Sequence, residues 1–240
     1  MNKNLVVIAL IISLLAMAFA SCNKKKEEET TVVTWSPEPG PNGTLPNSVL
    51  PEDLEDDVTE FFTPNTGTES HVFDGMFVSH PHVLIHSTME NDTVLTYNDR
   101  YIAFFANGDD LIDFYGKQWD DENSEYYQEA YRKLHIIGTG DSFSCYYLTE
   151  GYPNGMYAKQ STVFSGKWDE SYGGLKDFQV AVILLETSGN PDLAPAGSFR
   201  ILGDGDGLAK DTAWLGSKRT MASKDVTVSH EDAFSMFRVR

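Results

Sequence analysis

The sequence predicts an all-β domain, an antiparallel barrel or sandwich of roughly 8–10 strands with one short N-terminal helix. Three observations carry this. From about His71 onward, short apolar or alternating runs recur, each closed by Gly, Asn or Asp turn residues. No strand–helix–strand alternation interrupts them, which excludes a parallel α/β sheet. Aromatic residues make up 12% of the chain, a share that suits pleated, half-buried surfaces.

The helix comes first. Pro51 suits a first helical turn, and acidic residues crowd the N-terminal half of 51–62, where the helix dipole favours them. Leu54, Val58, Phe61 and Phe62 share one face, so the helix should cover one end or side of the domain. Pro64 stops it. Strands are expected at 72–79, 83–87, 100–106, 111–116, 131–137, 142–150, 156–167, 178–186, 198–202 and 226–228. Asn107-Gly-Asp-Asp110, Gly138-Thr-Gly-Asp141 and Asn154-Gly155 mark hairpin turns. The 120–130 segment, charged and aromatic, reads as a short helix or a loop.

Ahead of this domain (48–240) stand two other regions. Residues 1–21 read as a signal peptide: Lys3, then an apolar run from Leu5 to Leu15 too short for a permanent transmembrane helix. Two cleavage readings compete. Ala18-Phe-Ala20 is an A-x-A site, whereas Phe19-Ala-Ser-Cys22 places small residues before a cysteine, as a lipobox does. Cysteine economy favours lipidation of Cys22, because Cys145 is the one other cysteine and reads as a buried strand residue. Residues 22–47 read as the lipid-bearing end and a disordered tether, with a Lys24–Glu29 charge run and Pro37, Pro39, Pro41 and Pro46.

The chain carries 36 acidic and 18 basic residues, a net charge of −18. Such a balance repels phosphate backbones and argues against nucleic-acid binding. The lipobox-like end, the Pro-rich tether, the short helix, Val72-Phe-Asp-Gly-Met-Phe-Val-Ser-His-Pro-His-Val-Leu84 and Pro195-Ala-Gly-Ser-Phe-Arg-Ile-Leu202 together resemble uncharacterised Bacteroidota lipoproteins. The resemblance implies a β-rich envelope domain and carries no activity or site with it. Asn23 does not resemble the aspartate that holds lipoproteins in an inner membrane, so the outer membrane is the expected location.

Four sets of residues invite chemistry. Trp119, Tyr126, Tyr127, Tyr152, Trp168 and Tyr172 fall in or beside stretches rich in Asp, Glu, Asn and Gly, where exposed aromatic faces grip sugar rings. His80, His82 and His86 would share a strand face, with His71 close in sequence, and could gather a zinc ion if Pro81 bends the strand. Gly203-Asp-Gly-Asp-Gly207 suggests calcium, but an EF-hand register would need acids where Leu202 and Ala213 stand. Asp92-Thr93-Val94 and Asp211-Thr212-Ala213 resemble short acceptors of Bacteroidota O-glycosylation, at Thr93 and Thr212.

No nucleophile elbow, phosphate loop or metalloprotease spacing is present. The expectation is therefore a non-catalytic, cofactor-free binding domain, membrane-tethered through its lipid, with a glycan as ligand. The rival is a structural or assembly partner of another envelope protein. A hydrolase, needing two carboxylates across a cleft, stands behind both.

Overall fold

The computed structural model describes residues 32–70, 74–90, 92, 95–108, 111–120, 125–212 and 234–237. Cys22, His71, Thr93 and the strand expected at 226–228 lie outside them. The described residues form β1 (Val33–Trp35), helix α1 (Glu52–Thr59), β2 (Thr68–Ser70), β3 (Gly75–Ser79), β4 (His82–Ser87), β5 (Thr96–Tyr97) and β6 (Arg100–Ala106). β7 (Leu111–Asp120), β8 (Glu125–Gly140), β9 (Ser142–Gly151), β10 (Ala158–Asp169), β11 (Gly174–Thr187), β12 (Phe199–Asp204) and β13 (Leu208–Asp211) follow.

Register reduces these pieces to a simple architecture. β3 and β4 pair with β13 and β12 as successive parts of one strand. β5 and β6 likewise continue one another along β4 and β3. Every barrel strand is then antiparallel to the next in sequence, and β12–β13 returns to β3–β4 and closes the ring. The result is an eight-stranded up-and-down barrel with extra strands, not a sandwich. Closure gives each barrel strand a partner on both sides over at least part of its length.

Eight strands enclose a bore just wide enough for side chains to fill. Phe77, Ile102, Phe104, Ile112, Phe114, Phe143, Phe164 and Phe178 fill it here, all at most 1% exposed. A second apolar layer lies outside the wall. Ile137, Tyr146, Leu148, Val163, Ala181, Ile183, Phe199 and Ile201 are covered by Val49, Leu50, Val58 and Phe62. α1 thus packs on the barrel's side, and burial of Val58 and Phe62 contributes roughly 1.5–3 kcal/mol each. Strands β9, β10 and β11 are buried on both faces along most of their length, and in β11 this shows in the sequence as the unbroken apolar run Val180–Leu185.

Two expectations need correction. The second half of the expected tether belongs to the domain. β1 pairs with β9 where β8 turns away, and Ser36 Oγ accepts the His135 N–H at 3.0 Å. Gly43 accepts from the Gly67 N–H, and a Cβ on Gly43 would lie 2.0 Å from Gly67 O, so only glycine fits this contact. The segment expected as a helix or loop at 120–130 is strand from Glu125 onward: β8 runs sixteen residues, paired with β7 up to Asp120↔Glu125. Charged strand ends carry no apolar alternation, so the sequence pattern missed them.

Candidate ligand-binding site

The aromatic residues do not form one site. Trp119 sits near the end of β7, 38% exposed, and Tyr126 and Tyr127 are its neighbours in register on β8, in a strand and not a loop. Tyr152, 44% exposed, follows β9 at the same end of the barrel. Trp168 and Tyr172 belong to the opposite end, because successive strands alternate in direction. Trp168 is half-buried and packs edge-on against Phe77 at 5.6 Å, a core role. Tyr172 projects from the β10–β11 turn with the Lys176 ammonium 3.9 Å above its ring. Lys176 also pairs with Asp169 at 2.6 Å, and together with the Ser171 hydroxyl it holds that carboxyl down at about 2.

Around Trp119 the strands supply polar groups. Its carbonyl accepts from Asn98 Nδ2 at 3.1 Å, and the Asn98 carbonyl accepts from Gln118 Nε2 at 2.6 Å. Asp99, the next residue, holds His80 Nδ1 at 2.6 Å, and the His80 N–H donates to Asp204 Oδ2 at 2.9 Å. The Asp99 hydrogen bond and charge raise the His80 pKa. This corner combines an exposed indole with carboxylate, imidazole and amide groups. It can stack a sugar's C–H face and address its hydroxyls.

The three histidines face three environments, so the expected zinc set is not assembled. His80 lies exposed in the break between β3 and β4. His82 points into the barrel, its Nδ1 3.1 Å from Ser79 Oγ, and burial, aided by Arg100, pushes it down to about 3. A register shift beside Ile85 then flips the strand, and His86 emerges on the outer face, stacked on Phe61 at 3.7 Å. The bulge is what the even spacing concealed. Among the described residues no group of three or more His, Cys, Asp or Glu side chains could hold a metal.

Cys145 is fully buried inside the barrel, and burial pushes its thiol pKa up, so it is unreactive. In the Gly203–Gly207 stretch, Asp204 Oδ1 accepts the N–H groups of Asp206 and Leu208, a carboxylate-stapled turn. Thr212 is half-buried at the end of β13, its N–H donating to Met76 O at 2.9 Å.

Sequence reasoning missed a polar zone inside the barrel. Gln160 faces Thr149 on β9 and Leu184 on β11; one rung along, Thr162 faces Tyr147 and Val182, and Val182 faces Arg200. Thr149 Oγ1 also lies 3.3 Å from Thr34 Oγ1 of β1. Arg200 Nε meets Asp92 Oδ2 at 2.5 Å, with both side chains nearly buried. Its Nη1 donates to the Met236 carbonyl. Phe234 and Phe237 are buried against the interior core, and Phe237 O accepts the Ala194 N–H at 2.8 Å. The signal available in sequence was the alternation Ala158, Gln160, Thr162, Phe164, in which the polar members fall on the face shared with a core phenylalanine.

No family model, curated protein or solved structure matches the chain.

Proposed function

We propose that the chain is a lipoprotein, anchored through Cys22 to the outer membrane, whose barrel is a non-catalytic binding module for a glycan. The observation that carries the ligand class is the Trp119 corner: a 38% exposed indole beside Asn98, Asp99 and His80. A bore filled by phenylalanines puts recognition of a large polar ligand on the rim and not inside. The Phe19-Ala-Ser-Cys22 sequence supports the anchor.

Isothermal titration against bacterial and host oligosaccharides tests this. A heat signal is expected for at least one, with a loss of tenfold or more in affinity in Trp119→Ala. Binding that Trp119→Ala leaves unchanged would sink the assignment of the site.

Ile85 and Leu95, exposed by 43% and 68%, favour a second reading as an assembly partner. Leu84 N–H donates to Leu95 O at 3.0 Å, which places Leu95 beside β4, the strand that carries Ile85. Crosslinking on intact cells from a photoreactive residue at 95 would then capture one defined envelope protein.

A further inference from the structure

We propose that the plugged end of the barrel is a second binding site, for a small neutral amphiphile with a hydroxyl or amide N–H head. It is independent of the Trp119 corner. Gln160 is the first feature of this site. Its side chain is 5% exposed, it points into the bore, and its Oε1 accepts no hydrogen bond from any described residue. A buried amide oxygen without a donor costs about 1–3 kcal/mol, so a fold keeps one where something donates to it. Two other buried groups without a described partner, Tyr146 OH and Ser161 Oγ, lie in strand positions facing the outer layer, and a hydroxyl can rotate to pair. An amide oxygen can only accept.

The surroundings set the ligand's chemistry. Thr149 and Thr162, both at most 3% exposed, add hydroxyls that give or take a hydrogen bond. Ala158, Val182, Leu184 and Leu193 make the rest of this zone apolar. Arg200 and Asp92 cancel each other's charge. A ligand charge would stand uncompensated in a site this buried, which excludes a carboxylate and favours a neutral donor on an apolar body.

Residues 234–237 close the site. Phe234 and Phe237 pack into the bore, and two tethers hold them: the Arg200 guanidinium on the Met236 carbonyl and the Ala194 N–H on the Phe237 carbonyl. Withdrawal of the plug would uncover Gln160, Thr149 and Thr162 at the mouth.

The test is titration of the full chain with 1-decanol, decane and decanoate, followed by NMR of the Thr149 and Thr162 methyl groups. Decanol is expected to bind at least tenfold tighter than decane or decanoate, and Phe237→Ala is expected to bind it more tightly still. Gln160→Leu should lose about tenfold of the decanol preference while keeping its melting temperature. Trp119→Ala should leave decanol binding intact, which separates failure here from failure of the glycan reading. No binding by either the parent chain or Phe237→Ala would mean that water alone serves Gln160, and would overturn the proposal. So would equal affinity for decanol in Gln160→Leu.

Discussion

The two halves of the bore are built on opposite principles. At one end Phe164 is ringed by Phe114 at 4.4 Å, Phe104 at 6.1 Å, Tyr147 at 6.1 Å and Phe178 at 6.3 Å. Farther along the same strand, Gln160 and Thr162 stand beside Thr149, with the Arg200–Asp92 ion pair one strand beyond Val182 and Phe234 and Phe237 in the same interior core. The aromatic half needs no partner: its rings satisfy one another through packing and edge contacts worth roughly 0.5–1.5 kcal/mol per pair. The polar half is held by specific bonds that a competing donor or acceptor can replace. The wall is continuous, so the contrast lies in the filling alone. It separates a region built for stability from one built to exchange contacts.

The contrast breaks most severely at Phe164. Phe164→Ala should cost about 4–5 kcal/mol, the upper end for a buried phenylalanine, since four aromatic neighbours cannot all collapse onto the void. Denaturant unfolding measures it. A cost below about 1 kcal/mol would show that the aromatic half is not the stabilising one.

Next comes the ion pair. Arg200→Met should cost about 3 kcal/mol, because it strands the Asp92 carboxylate in a buried position and frees the Met236 carbonyl. The double change Arg200→Met with Asp92→Leu should recover most of that loss. It should nevertheless leave residues 234–237 open to hydrogen exchange, since the latch on Met236 is gone. Protection retained there in the double variant would assign the docking to Phe234 and Phe237 alone.

His82, buried on the inner wall beside Ser79, gives the fold an acid limit. Burial lowers its pKa from 6.5 to about 3, so the unfolded chain takes up the proton first. The stability this contributes is complete above about pH 6.5 and falls as pH drops toward 3, by at most about 1.4 kcal/mol per pH unit. His82→Asn keeps a polar group beside Ser79 and cannot titrate. Its melting temperature should therefore decline less steeply than the parent's between pH 6.5 and 4. Parallel curves would mean that His82 is solvated in the folded protein.

The same comparison explains how much of the molecule was legible in the sequence. Short strand runs bounded by Gly, Asn and Asp turns made the all-β class and most barrel strands legible, and burial of both faces in β11 leaves the unbroken run Val180–Leu185. Closure was not legible: the pairing of β12 with β4 and β13 with β3 joins residues more than a hundred positions apart. The histidines were misread because one bulged residue, Ile85, inverts the alternation on which the spacing argument rests. Trp119 and Trp168 looked alike for a related reason: both stand near strand ends among polar residues. Gln160 escaped notice because it lies in the polar stretch Lys159–Thr162, and polar residues in a strand ordinarily face solvent.

The two tryptophans provide the finest test. Trp168→Ala removes a ring packed on Phe77 and should cost about 3 kcal/mol while leaving sugar affinity unchanged. Trp119→Ala removes an exposed ring from the edge of a barrel whose core it does not enter. Its effect on stability should stay within about 0.5 kcal/mol, even as glycan affinity falls at least tenfold. The pair must dissociate in opposite directions for the rim to be a binding surface: a stability cost without a binding cost at Trp168, and the reverse at Trp119. If Trp119→Ala instead destabilises the fold as Trp168→Ala does, its exposure is incidental to a packing role. The rim then loses its claim to the ligand, and the exposed Ile85 and Leu95 side chains become the ones to pursue.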